Sequence, residues 1–352
     1  MNKFALLLFF APLVALAQEP SPSPASAATP APAQEEGMDS YERLEALDPA
    51  QIKLATDTLR TNHAEAATLD ETGMARATLR GLLDGLYPGA ELTGGETAKT
   101  EPSPFRAEIL DERVGYVRLG SISTENMAQL DAALQDFTEK KAEGIVLDLR
   151  ATPESADFPM AAQVCERFVP NGTVLFSLVR PGEKQEKIFT SARGPAFQGV
   201  VVVLVDGDTA GAAEVIAAVL RRHARAMVVG TNTSGRAVEF TLLPLGGGHH
   251  LRYAAAEARV AGLPPLYPRG VEPDLEVDQS AEDKKAILDG ALEKGIAGYV
   301  FENERARMNE AALVAGTNPE IDAEESGAGL LDRPLQRAVD LVVAIKLFRK
   351  RG

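Results

Sequence analysis

The sequence predicts an α/β fold, and three observations carry that prediction. Ile145–Leu149 and Val200–Val205 are continuously apolar runs, the pattern of strands covered on both faces. An apolar helical segment over 211–224 lies between strands 199–205 and 226–230, so strand, helix and strand follow one another, which implies a right-handed crossover and parallel pairing. Gly246-Gly247-Gly248 separates two further strand candidates and reads as a hairpin turn.

The remaining elements follow from periodicity. Strands are predicted at 113–120, 144–150, 173–180, 185–190, 199–205, 226–230, 238–245 and 249–260, with helices at 124–141, 156–168 and 211–224. Ahead of this core, helical spacing runs over 39–88. Tyr41, Leu44 and Leu47 mark one short helix. Ile52, Leu54, Ala55 and Leu59 mark a second, started by Asp48 and Pro49. Ala75, Leu79, Leu82, Leu83 and Leu86 mark a third. The Gly/Thr/Pro-rich stretch 89–107 reads as a linker. Beyond the core, 279–352 is helical and charged. Ala286 to Ala297 forms one helix, and Leu335, Ala338, Leu341, Val342 and Ile345 give another an apolar face, able to close the core or to pair with a twin in a homodimer.

The organisation is therefore 1–17, 18–38, 39–107, 108–278 and 279–352. Residues 1–17 have the form of a signal peptide: Lys3, an apolar run from Phe4 to Val14, and Ala15-Leu16-Ala17 before a cut ahead of Gln18. The run is shorter than the ~20 residues of a spanning helix and Pro12 interrupts it, so no stable membrane insertion is expected after cleavage. The chain is expected to be exported, to a periplasm or outside the cell. Residues 18–38, rich in Pro, Ala and Ser, cannot build a core and read as a disordered tether. The formal charge of −15 and an aromatic content of 5% without Trp argue against nucleic-acid partners. Cys165 has no partner for an intramolecular bond and reads as a buried apolar residue.

Residues 206–240 carry the functional signal. The segment D-G-D-T-A-G-A-A-E-V-I continues to V-V-G-T-N-T-S-G-R-A-V-E-F. It resembles the active-site stretch of the carboxy-terminal processing (tail-specific) serine protease family. Other landmarks follow the family's order over roughly 112–278: the strand Val114 to Leu119, the strand Val146-Leu147-Asp148-Leu149-Arg150, the triplet Asn171-Gly172-Thr173, and Gly270-Val271-Glu272-Pro273-Asp274. The resemblance implies a tail-specific protease core, a ClpP/crotonase-like sheet with helices, flanked by N- and C-terminal helical segments.

The resemblance also implies which positions matter. It places Gly211 at the family's nucleophile, Arg236 at its general base and Phe240 at the residue that orients the base. None can do that chemistry. Glycine has no hydroxyl, a guanidinium stays protonated, and a phenyl ring cannot hydrogen-bond. The family's Gly-rich turn beside its oxyanion hole is here Ala151-Thr152-Pro153-Glu154-Ser155, so a carboxylate stands where negative charge must be stabilised. The stretch 89–107 is also too short for the PDZ domain that most of the family carries.

The expected function is that of an exported pseudoprotease, a peptide- or protein-binding scaffold on a serine peptidase fold. The alternative is an active endopeptidase with a relocated nucleophile, for which Ser234 is the substitute. A crotonase-like enzyme is a third class, disfavoured by export. Binding is expected around Gly211, Ala212, Glu214 and Arg236. There the helix start offers free N–H groups, Glu214 caps at N3, and Arg236 can pair with Glu214, Glu154 or a ligand carboxylate. Thr209 reads as a turn hydroxyl. No metal or cofactor is expected: His249 and His250 point to opposite faces of a strand, and His63 and His223 lack ligand spacing. Asn171 and Asn232 open glycosylation sequons.

Overall fold

The computed structural model describes residues 44–94, 102–111, 113–301 and 330–351. The expected signal peptide, tether and Tyr41 lie outside the described residues. The chain divides into two compact units, Met1–Ala75 and Arg76–Gly352.

The described part of the first unit contains helix α1, Pro49–Asn62, and the start of α2, Glu71–Gly85. Asp48 caps α1 as its sequence suggests. Its carboxylate accepts from Gln51 N at 2.8 Å, the Gln51 side chain accepts from Asp48 N at 2.9 Å, and Pro49 fills N1. The third predicted helix begins four residues before Ala75, at Glu71. Neither α1 nor α2 contains a buried residue.

The second unit is built on a six-stranded sheet in the order β11-β8-β7-β4-β3-β2. Its strands are β2 Arg106–Leu110, β3 Val114–Arg118, β4 Gly144–Asp148, β7 Val200–Val205, β8 Met227–Gly230 and β11 Leu275–Glu276. All neighbours are parallel except β2 and β3. Both faces are covered, which is why β4 and β7 read as unbroken apolar runs. Ile145, Leu147, Val201, Val203 and Val205 face one core, shared with α3 Thr124–Glu139, α4 Phe158–Glu166 and α5 Ala212–His223. Val146, Val202 and Leu204 face a second core, shared with α6 Ala281–Lys294 and α7 Arg333–Arg351.

Helix α5 is the most enclosed of the described helices. Every residue from Ala212 to Leu220 is buried. In α7, Leu335, Ala338, Val339 and Val342 are buried on the sheet, so its apolar face closes the core within the chain. The fit is tight: a Cβ on Gly144 of β4 would meet Val342 Cγ1 at 2.6 Å.

A second sheet flanks this core. Strand β10 His249–Arg259 pairs with β9 Val238–Gly246 along one edge, through the predicted glycine hairpin. Along its other edge it pairs with β1 Ala90–Gly94 and then with β5 Val174–Val179, which pairs in turn with β6 Lys187–Thr190.

Two expectations need correction. The stretch 89–107 is not wholly a linker, because β1 occupies 90–94 and β2 begins at 106. β1 leaves its side chains largely exposed and gains its order from backbone pairing with β10, which composition does not reveal. The helix expected over 286–297 runs instead from Ala281 to Lys294. Ser280 caps its start and Gly295, at φ 78°, ends it. Cys165 is buried in α4, where burial pushes its thiol well up from the ordinary range.

Candidate functional site

The turns that follow β4, β7 and β8 meet at the C-terminal edge of the parallel strands, where ligand crevices of open α/β sheets form. Strand β7 ends at Val205, and Asp206 to Gly211 turn the chain into α5. Thr209 organises that turn: its hydroxyl accepts from Asp206 N at 3.0 Å and lies 3.2 Å from Asp206 Oδ1. Gly211 follows at φ 60°, ψ −121°, a conformation that only glycine adopts without strain.

Glu214, one turn into α5, is fully buried and ties the start of that helix to the loop 233–236. It accepts from Gly211 N at 3.0 Å, Thr233 Oγ1 at 2.5 Å, Gly235 N at 2.7 Å and Arg236 N at 2.8 Å. Burial pushes its carboxyl above the ordinary glutamate value, and the bonds from Thr233, Gly235, Arg236 and Gly211 offset part of that rise. The expected N3 cap is present, and it also fixes the loop bearing Arg236. Thr233 extends the tie to 270–274 by accepting from Val271 N at 2.7 Å, which gives the landmark Gly270–Asp274 a structural role.

The turn after β4 packs against the start of α5. Ser155 and Gly211 form an isolated parallel bridge, and Ala212 N donates to the Ser155 carbonyl at 2.8 Å. The helix start therefore does not offer the free amides expected from the sequence. Gly211 N is bonded to Glu214 and Ala212 N to Ser155. A Cβ at Gly211 would lie 2.4 Å from the Ser155 oxygen, so the space for a side chain at the nucleophile-matched position is filled by backbone.

Glu154 is not the lone negative charge its sequence position implies. Its Oε1 accepts from Arg252 Nη2 at 2.7 Å, and its Oε2 lies 3.3 Å from Arg236 Nη2. Arg252 also bonds Glu91 of β1 at 2.7 Å, and its guanidinium carbon sits 3.4 Å from the centroid of the Phe240 ring. Phe240 and Arg252 occupy diagonal positions on β9 and β10, within reach for such stacking. Of the partners expected for the Arg236 side chain, the structure selects Glu154, whereas Glu214 takes the Arg236 backbone amide.

Ser234 Oγ lies 3.5 Å from Glu214 Oε2, and among the described residues no amine or imidazole shares a hydrogen bond with it. His249 and His250 begin β10 and alternate faces, His63 caps the end of α1, and His223 ends α5. Among the described residues no group of three or more His, Cys, Asp or Glu is arranged to hold a metal ion. No described helix is long and apolar enough to cross a membrane.

Sequence reasoning missed Arg252, Thr233 and Ser155. Arg252 left a faint signal, as a lone cation in the weakly polar strand H-H-L-R-Y-A-A-A. Thr233 and Ser155 left none, since one acts through a carboxylate brought in from α5 and the other through its backbone.

Comparison with known proteins bears on the whole core. Residues 113–277 match the profile of Peptidase family S41. A carboxy-terminal-processing protease of Bartonella bacilliformis is 29% identical over 220 residues, 60% of this chain and 50% of that protein. A carboxyl-terminal-processing protease of Synechocystis is 28% identical over 251 residues, 70% of this chain and 57% of that one. The chain thus spans about half the length of these curated relatives. The solved photosystem II D1 C-terminal processing protease aligns with a TM-score of 0.43 and 23% identity over 52% of this chain and 50% of that one. The α/β core, residues 113–277, is thus a Peptidase family S41 domain, similar to that of the carboxy-terminal processing proteases.

Proposed function

We propose that this protein is an exported family member that does not hydrolyse peptides and acts instead as a binding or scaffold protein. One observation carries the reading. At the position matched to the nucleophile, a glycine backbone faces the Ser155 carbonyl, and the base-matched Arg236 is committed to Glu154. Nucleophilic acyl transfer needs a hydroxyl or thiol beside a group able to take its proton. Gly211 has no hydroxyl to attack with, and the Arg236 guanidinium cannot take a proton. With the amides at the start of α5 engaged internally, a partner binds on other surfaces. A homodimer would use the exposed apolar side chains of α1, such as Leu54 and Leu59, because α7 buries its apolar face on the core. Export rests on the signal-like residues 1–17.

The competing reading, a displaced catalytic centre at Ser234, draws on its contact with Glu214. That carboxylate already accepts four shorter hydrogen bonds and is poorly placed to take the Ser234 proton. The test uses the full chain with a fluorophosphonate probe and a panel of peptides with varied C-termini. No labelling and no cleavage are expected. A labelled serine located by mass spectrometry, or cleavage that disappears in Ser234→Ala, overturns the proposal.

A further inference from the structure

We propose that the three positions matched to the family's catalytic residues now serve as the receptor for the chain's own turn 151–155, which they hold closed over the start of α5. This rests on the non-hydrolytic reading above and adds a role to each replaced residue. Gly211 supplies the room: with no Cβ it admits the Ser155 carbonyl, which then accepts from Ala212 N at 2.8 Å. Arg236 supplies a charge that pairs with Glu154 at 3.3 Å. Phe240 supplies a ring over which the Arg252 guanidinium carbon sits at 3.4 Å, steering that guanidinium onto the other oxygen of Glu154 at 2.7 Å.

Glu154 is therefore the handle of the turn and is held from both sides. Its neighbour Ser155 occupies the helix start much as the carbonyl of a bound extended chain would, running parallel to Gly211 in a one-residue bridge. The three replacements cooperate, because each contacts either the turn itself or the residue that grips it.

The closure is local and finely balanced. Two buried polar atoms close to the clamp, Thr152 Oγ1 and Arg236 Nε, have no hydrogen-bond partner, and such unpaired groups oppose the closed state. A turn held against that opposition by two partly exposed ion pairs is expected to open when one of them is weakened.

Hydrogen exchange of the full chain tests this. Peptides covering 151–157 and 207–214 report the turn and the Ala212 amide, and a peptide covering 200–205 reports the folded sheet. In the parent protein the first two regions are expected to be protected. In Glu154→Gln, and separately in Gly211→Ala, both are expected to exchange about threefold faster or more while 200–205 is unchanged. Unprotected exchange of the Ala212 amide in the parent overturns the proposal, as does unaltered exchange at 151–157 in both variants. Should one variant unfold, its 200–205 peptide reports it and the other decides. Probe labelling of the parent would sink the non-hydrolytic reading alone, whereas the exchange data bear on the turn, so the two failures are distinguishable.

Discussion

Two charge networks stand at the end of β4, and they differ in burial. In the first, Arg150 makes two-pronged contacts with both Asp148 and Asp332 at 2.7–2.9 Å, and Tyr116 donates to Asp148 at 2.9 Å. Its arginine and aspartates are 0–2% exposed. In the second, just beyond, Glu154 joins Arg236 and Arg252, with side chains 19–32% exposed. Removing one partner from a buried network strands the others and costs about 3–5 kcal/mol. A solvent-reached pair is worth only ~0.2–1 kcal/mol. The first network therefore belongs to folding, since Asp332 also caps α7 through Leu335 N at 3.0 Å. The second can govern a local conformation without deciding whether the chain folds.

The contrast can be broken most directly at Arg150. Arg150→Met leaves Asp148 and Asp332 buried without their cation and is expected to cost about 3–5 kcal/mol in urea unfolding. A loss below ~1 kcal/mol would remove the distinction.

Gly211→Ser comes next. It puts a side chain at φ 60° and a Cβ against the Ser155 carbonyl, for an expected loss of about 1–3 kcal/mol. The same variant combined with Arg236→Lys is expected to remain unlabelled by a fluorophosphonate, because Phe240 has no polar atom with which to orient the introduced amine.

Glu214→Gln replaces an acceptor of four bonds by a group that must also donate, and about 1–3 kcal/mol is expected to be lost. Its pH dependence sharpens the comparison. Burial raises the Glu214 carboxyl above 4.5, so its contribution to stability is fully present below that pH and is lost as pH rises through the folded value. Asp148 behaves oppositely. Burial alone would raise it, but Arg150 outweighs burial and holds it below 3.8, so its contribution is present above that pH and is lost as pH falls through the folded value. Urea midpoints measured from about pH 3 to pH 7 check both signs. The stability gap between the parent and Glu214→Gln is expected to narrow as pH rises.

The smallest global effect is expected for Glu154→Gln, below ~1 kcal/mol and further reduced by salt. A midpoint shift as large as that of Arg150→Met would place Glu154 among the folding contacts.

Much of the frame was legible in the sequence. The unbroken runs of β4 and β7, the helix 211–224 and the glycine hairpin each state their structure locally, as does the Asp48-Pro49 start of α1. Chemistry lost at Gly211 and Arg236 was equally readable, because it depends on residue type alone. What replaced it was not. The bond from Ala212 N to Ser155 is a backbone contact between two turns, and Arg252 meets Glu154 only because β10 runs past the end of β4. Strand β1 escaped notice for the same reason, being ordered by pairing with β10 rather than by its own side chains.

The seating of α7 has a practical corollary. Tyr116, Val146, Val202 and Leu204 lie beneath its residues 335–342. A shortened version stopping at Leu330 would uncover these side chains and deprive Arg150 of Asp332. Such a trimmed protein is expected to precipitate, so anyone seeking a minimal recombinant form must keep the last helix even though the family signature ends well before it.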